Sequence, residues 1–299
     1  MKKLLFALLM TATLTVHALP PQVEADRLML EIKGQIDAKQ YAAAVENFSK
    51  VEKLPGIQLP DTFAYHYGVA LAGMNKNEEA LKKLDQYLTT AGSGGKFYKE
   101  ALEKYNEVES KIKALSKATP EMIAIPGKNY SIGKYEVTQG QWKAIMGNNP
   151  SSFKNCGDDC PVENVSWNDA QEFIQKLNAK TGKQYRLPTG EEWKYACDGG
   201  SSHEYCGSDN LNDVAWYDKN SGMTTHPVGQ KQHNGYGLHD MTGNVGEVMQ
   251  DKNERGYYGL RGGCWFDNWP GALSAGRASG NSPTMRKPYF GFRLAMTLP

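Results

Sequence analysis

The five cysteines, at positions 156, 160, 197, 206 and 264, are the residues of this chain best equipped for chemistry. A thiolate is a nucleophile and a soft metal ligand, and two that meet can oxidise to a disulfide. Cys156 and Cys160 enclose Gly-Asp-Asp, while Cys197 and Cys206 bracket Asp-Gly-Gly-Ser-Ser-His-Glu-Tyr, so each pair can close a short loop. Zinc is the rival use of four cysteines, but a three-residue spacer followed by an eight-residue one is poor zinc-ligand spacing. Disulfides are the favoured reading if the chain is exported. Cys264 is left over and reads as a small buried thiol in a strand. The six histidines, including His203, His226, His233 and His239, show no ligand spacing and read as surface or loop residues. No Gly-x-Ser-x-Gly elbow, phosphate-cradling loop or His-Glu-x-x-His helix occurs.

The elements that must carry these residues divide the chain in two. At 299 residues it is long for one domain and comfortable for two. The 34 Lys and Arg balance 33 Asp and Glu, which excludes a basic nucleic-acid binder as the default. All six Trp follow residue 140, as do all the cysteines. Lys2 and Lys3, then the apolar stretch 4–16 and Val16-His17-Ala18, form a cleavable signal peptide over residues 1–18. That stretch is too short to span a membrane, and no later segment is apolar enough. Residues 20–116 read as helical: 41–48 and 79–87 carry apolar residues at spacings of three and four. Ala44 and Ala80 stand 36 residues apart, each followed four positions later by a large apolar residue (Phe48, Leu84), and Gly68 precedes Ala80 by twelve. This spacing resembles the tetratricopeptide repeat, best over 62–90, and implies a protein-docking surface or a spacer. A last helix is expected over 97–115, followed by a linker over 116–126.

After residue 120 the pattern becomes short strands, turns and three helices opened by capping boxes at Thr138–Gln141, Ser166–Asp169 and Thr189–Glu192. The blocks Tyr135-Glu-Val-Thr138, Pro161-Val-Glu-Asn-Val-Ser-Trp167 and Tyr185-Arg-Leu-Pro-Thr-Gly-Glu-Glu-Trp193 then follow in order. So do the run 234–247 with its Gly-Asn-Val-Gly-Glu ending, Leu260-Arg-Gly-Gly263 and Gly291-Phe-Arg-Leu294. Together they resemble the formylglycine-generating enzyme, or sulfatase-modifying factor, family. The resemblance implies an α+β fold, the loop-rich C-type-lectin-like domain of that family, over 120–299. It does not fix function, because the family includes oxidases and inactive binding modules.

The resemblance also implies particular sites. The oxidases hold copper between two cysteines after the Arg-Gly-Gly block; the matching positions here are Asp267 and Ala272, neither a soft ligand. Cys264 lies three residues too early. No copper is therefore expected. In the family a structural calcium is wrapped by the stretch matching 240–247, which implies the side chains of Asp240 and Glu247 with backbone oxygens of Gly243 and Val245 as ligands. A second calcium would fall near Asp213 and Asn220. The family's Trp-Glu-Trp is Gly246-Glu247-Val248 here, leaving either a repacked core or an open pocket. Phe266, Asp267, Asn268 and Trp269 fall where a lectin-like fold presents its ligand face, with Trp265 read as core. That face is diversified in variable proteins of bacterial retroelements, but an AAC or AAT codon changed at its adenines cannot yield Trp, so Trp269 speaks against such a role here.

The expectation is an exported, periplasmic or secreted, non-catalytic binding or scaffolding protein, with a protein partner on the helices, the lectin-like face or both. The alternative is a divergent oxidase or other protein-modifying enzyme; the thiolate pair discriminates them.

Overall fold

The computed structural model describes residues 18–268, 270–273 and 279–298; Trp269 and the first 17 residues of the expected signal peptide lie outside these. The described chain divides into two compact units, the first reaching Glu109 and the second running from Ser110.

The first unit is helical: α1 (Pro21–Asp37), α2 (Tyr41–Glu52), α3 (Phe63–Gly73), α4 (Asn77–Ala91) and the start of α5 (Tyr98–Ala118). Lys39 and Asn75, in the α1–α2 and α3–α4 turns, both take a left-handed backbone, at φ 56° and 58°. They stand 36 residues apart, like Ala44 and Ala80, and like Phe48 and Leu84; all four of these side chains are buried at 0% exposure. The same turn thus delivers the same small and large residues to the core twice. Phe48 stacks on Tyr67 at 4.6 Å and meets Phe63 edge-on at 5.1 Å. A Cβ on Gly68 would stand 2.8 Å from the Leu84 side chain, so the missing side chain is what lets α3 and α4 approach.

The segment 116–126, expected as linker, is structured: α5 continues to Ala118, and β1 (Met122–Ala124) follows. Ala118 is buried in a core with Phe173, Leu177 and Phe292, whose burial outweighs the loop composition of the segment. In the second unit β1, β2 (Tyr130–Gly133), β10 (Ala295–Thr297) and β3 (Tyr185–Arg186) form an antiparallel sheet in the order β1-β2-β10-β3. A second sheet runs β8 (Ser279–Asn281), β7 (Tyr258–Arg261), β6 (Gly246–Lys252), β9 (Phe290–Gly291), with β6 and β9 parallel. β4 (Ala215–Trp216) and β5 (Thr242–Gly243) pair in parallel. The helices are α6 (Gln139–Met146), α7 (Trp167–Thr181), α8 (Gly190–Asp198) and the short α9 (Leu211–Val214) and α10 (Pro270–Leu273). All three capping boxes close as expected, on α6, α7 and α8. The class is mixed α+β, with much of the core held by loops.

Candidate functional site

The segment 240–247 enters the core because its own backbone bends there. Asp240 and Asn244 adopt positive φ (55° and 57°), as does Gly243 between them. The turn aims Asp240 and Glu247 inward, where Glu136 and Arg293 join them; all four are buried. Arg293 grips Glu247 through two bonds, Nε to Oε2 at 2.7 Å and Nη2 to Oε1 at 2.6 Å. Its remaining donors reach the carbonyls of Gly133 (3.0 Å) and His239 (2.9 Å). Trp193 Nε1 donates a third bond to Glu247, at 2.7 Å. Glu136 accepts from Val245 N–H (3.1 Å) and Asn244 Nδ2 (2.7 Å), which ties β2's outgoing loop to the turn. Asp240 accepts from Gly229 N–H at 2.7 Å through Oδ2, while Oδ1 has no partner.

Three carboxyls thus surround one guanidinium. Burial, then the neighbouring Asp240 and Glu247, push Glu136 well above the usual carboxylate range. Burial outweighs the Gly229 bond and Arg293 at Asp240 and pushes it up to about 6. The surrounding carboxylates outweigh burial at Arg293 and raise it further.

These residues do not fit the calcium that the resemblance implies. Calcium takes six to eight oxygens. Glu247 Oε2 accepts from Arg293 and Trp193 and Oε1 from Arg293, so Asp240 Oδ1 is the one oxygen of the two expected side chains without a hydrogen-bond partner. Among the described residues no three His, Cys, Asp or Glu side chains converge as a metal would require. Near the second expected position, Asp213 accepts from Asn210 Nδ2 (3.0 Å) and Ser208 Oγ (3.2 Å), and the Asn220 oxygen accepts from Tyr217 N–H (2.9 Å).

A pH experiment follows from Asp240. Its folded pKa of about 6 lies above its ordinary 3.8, so between those values the folded state holds a proton that the unfolded chain has released. Stability from this group therefore falls as pH rises from about 4 to 6. Asp240→Asn keeps the oxygen facing Gly229 and cannot ionise. We expect it to gain about 2 kcal/mol over the parent at pH 8 and little at pH 4.5, in urea unfolding at the two pH values. Chelator should not move the parent's melting temperature. A variant less stable at pH 8, with a parent weakened by chelator, would restore the calcium reading.

The other expected surface follows Arg261-Gly-Gly263. Trp265 is buried at 8% exposure; its Nε1 donates to Pro288 O at 3.0 Å, and Phe153 meets it edge-on at 5.2 Å. Phe266 is half-buried against Tyr289 at 4.6 Å, and Asn268 is exposed. Asp267, expected on the open face, is turned back: Oδ2 accepts from Cys264 N–H at 2.8 Å and lies 3.3 Å from its Sγ. Burial, then the Asp267 carboxylate, push the Cys264 thiol far up, so it stays protonated. Ala272 lies in α10, four residues long, and carries no sulfur. Cys156–Cys160 and Cys197–Cys206 are disulfide-bonded, as paired from the sequence, and Cys264 is free. Val248 is buried, and the Leu260 side chain stands 3.1 Å from where a Cβ on Gly246 would be; the lost aromatics leave a repacked core.

Sequence reasoning passed over three of these residues. Glu136 and Arg293 sit inside recognised blocks without an assigned role, because their partners lie 46 to 160 residues away. Glu163, fully buried, accepts from the N–H of Phe153, the residue whose ring meets Trp265, at 2.8 Å, and burial pushes its carboxyl up to about 7.

Residues 75–298 match the family described as the sulfatase-modifying factor enzyme 1-like domain. The chain is 36% identical to the chaperone protein LppX of Paenibacillus barcinonensis, over 40% of this chain and 61% of that protein. It is 30% identical to the inactive C-alpha-formylglycine-generating enzyme 2 of Bos taurus, over 45% and 50%. The chain thus spans between half and three fifths of these curated relatives. Among solved structures it is similar to Treponema denticola variable protein 1 (28% identity, TM-score 0.52), over 60% of this chain and 92% of that one.

Proposed function

The chain belongs to the sulfatase-modifying factor enzyme 1-like family, and within that family we propose that it is an exported, non-catalytic protein-binding member. One observation carries the reading: of five cysteines four are tied in disulfides, so one thiol remains where copper oxidation needs two. That thiol is buried, protonated and backed by a hard carboxylate, a poor seat for Cu(I). A relative named as a chaperone and another named as inactive support a role in holding proteins rather than altering them. Two disulfides, and a positively charged, then apolar, N-terminus, support export to an oxidising compartment. No described helix is long and apolar enough to cross a membrane.

The test is direct. Purified protein given copper, reductant, oxygen and a Cys-x-Pro-x-Arg peptide should yield no formylglycine by mass spectrometry. Turnover that Cys264→Ser abolishes would overturn the reading and establish a divergent oxidase.

A further inference from the structure

We infer that the helical unit binds a peptide carrying an apolar side chain next to a carboxylate, in a groove along α1. This rests on the reading of the chain as a binding protein and names the partner's chemistry. The groove encloses about 330 Å³, the lower end of ligand-site volumes and room for one or two large side chains.

Its floor comes from a second stripe of α1. Leu28 and Ile32 are buried in the unit's core, whereas Met29 and Ile36, seven residues apart on one side of the helix, stay half-buried along the groove with Phe97. Half-covered apolar side chains on a concave surface favour an apolar guest.

The rim sets the guest's charge. Lys33 and Lys96 line the groove, are exposed, and take part in no ion pair among the described residues. The Lys96 ammonium lies 5.1 Å from the Phe97 ring centre, at the floor itself. His66 also lines the groove; burial and then Lys96 hold it below its ordinary range, against the pull of Asp37, so at neutral pH it adds no charge. Asp37 sits one turn beyond Lys33 on the same helix face. It supplies an acceptor for the guest's backbone N–H groups. Across residues 18–109 acidic side chains outnumber Lys and Arg, so this paired positive rim stands out against its surroundings. A carboxylate is attracted to it and repelled around it.

The probe is a fluorescein-labelled hexapeptide alternating glutamate and leucine, titrated with the full chain by fluorescence anisotropy. A second hexapeptide replaces glutamate by lysine. We expect the native chain to bind the glutamate peptide and ignore the lysine one, with affinity falling as salt is raised. Lys33→Glu with Lys96→Glu should weaken the glutamate peptide about tenfold or more and permit the lysine peptide to bind. An unchanged far-UV spectrum and melting temperature would show that the variant is folded. Ile36→Ser should weaken both pairings alike. Equal binding of the two peptides by the native chain, indifference to the charge reversal, or no binding at all would overturn the assignment. Those results leave the binding-protein reading standing; only formylglycine formation removes that.

Discussion

Arg293→Met is expected to cost about 3–5 kcal/mol, the largest loss we anticipate from a single side chain. The guanidinium is fully buried and serves Glu247 and the backbone carbonyls of Gly133 and His239 together. Without it Glu247 becomes an uncompensated buried charge, still beside Glu136 and Asp240, whose carboxyls are already disfavoured as anions. The carbonyls lose their donors in the same step, and each buried acceptor left open adds a further penalty. Arg293→Met combined with Glu247→Leu should recover part of the loss, since an apolar pair of similar volume removes the stranded charge. It should not recover all of it, because Trp193 Nε1 then loses its acceptor. Urea unfolding of the parent, the single variant and the double variant at pH 7.5 reads the three values. A loss below about 1 kcal/mol for Arg293→Met would mean that the cluster is wet or otherwise compensated.

The contrast between what was legible in the sequence and what was not follows the range of the interactions. Thr138, Ser166 and Thr189 announced α6, α7 and α8 because a capping box is complete within four residues. The cysteine pairs were legible because 156 and 160, and 197 and 206, are near neighbours in the chain. The 36-residue echo of Ala44 in Ala80 was legible because each helix carries its own buried stripe. Arg293 was visible only as part of a familiar block, since its purpose depends on Glu247 and on a carbonyl 160 residues earlier. The same holds for Asp267. The resemblance implied a place on an open ligand face, but a carboxylate three residues after Cys264 can also satisfy that residue's N–H, and here it does. The end of α5 was misjudged for a related reason. Ser116 to Pro120 looks like loop material locally, whereas Ala118 is claimed by a core built from residues up to 294.

Gly243→Ala should cost about 3 kcal/mol or more, for two separable reasons. The first is the backbone: φ is +79°, a conformation that costs an L-residue about 1–2 kcal/mol. The second is space. A Cβ there would overlap the Trp216 carbonyl oxygen and lie 3.0 Å from the Trp216 nitrogen, both backbone atoms of the strand paired with β5. A backbone atom cannot turn away as a flexible side chain can, so β4 would have to shift, and overpacking of this kind costs about 1–3 kcal/mol in its own right. Gly182→Ala isolates the first cause. Gly182 ends α7 at φ +69° with nothing within 4 Å of the added carbon, so only the dihedral cost, about 1 kcal/mol, should appear. The difference between the two variants, measured by thermal and urea unfolding, is then the cost of moving Trp216 away from the turn. Because Gly243 lies between Asp240 and Glu247, the same displacement should disturb the buried carboxyl cluster, and the pH dependence assigned to Asp240 should weaken in Gly243→Ala but persist in Gly182→Ala. Equal losses at the two glycines would show that β4 and β5 are not held as closely as the pairing of Trp216 with Gly243 implies.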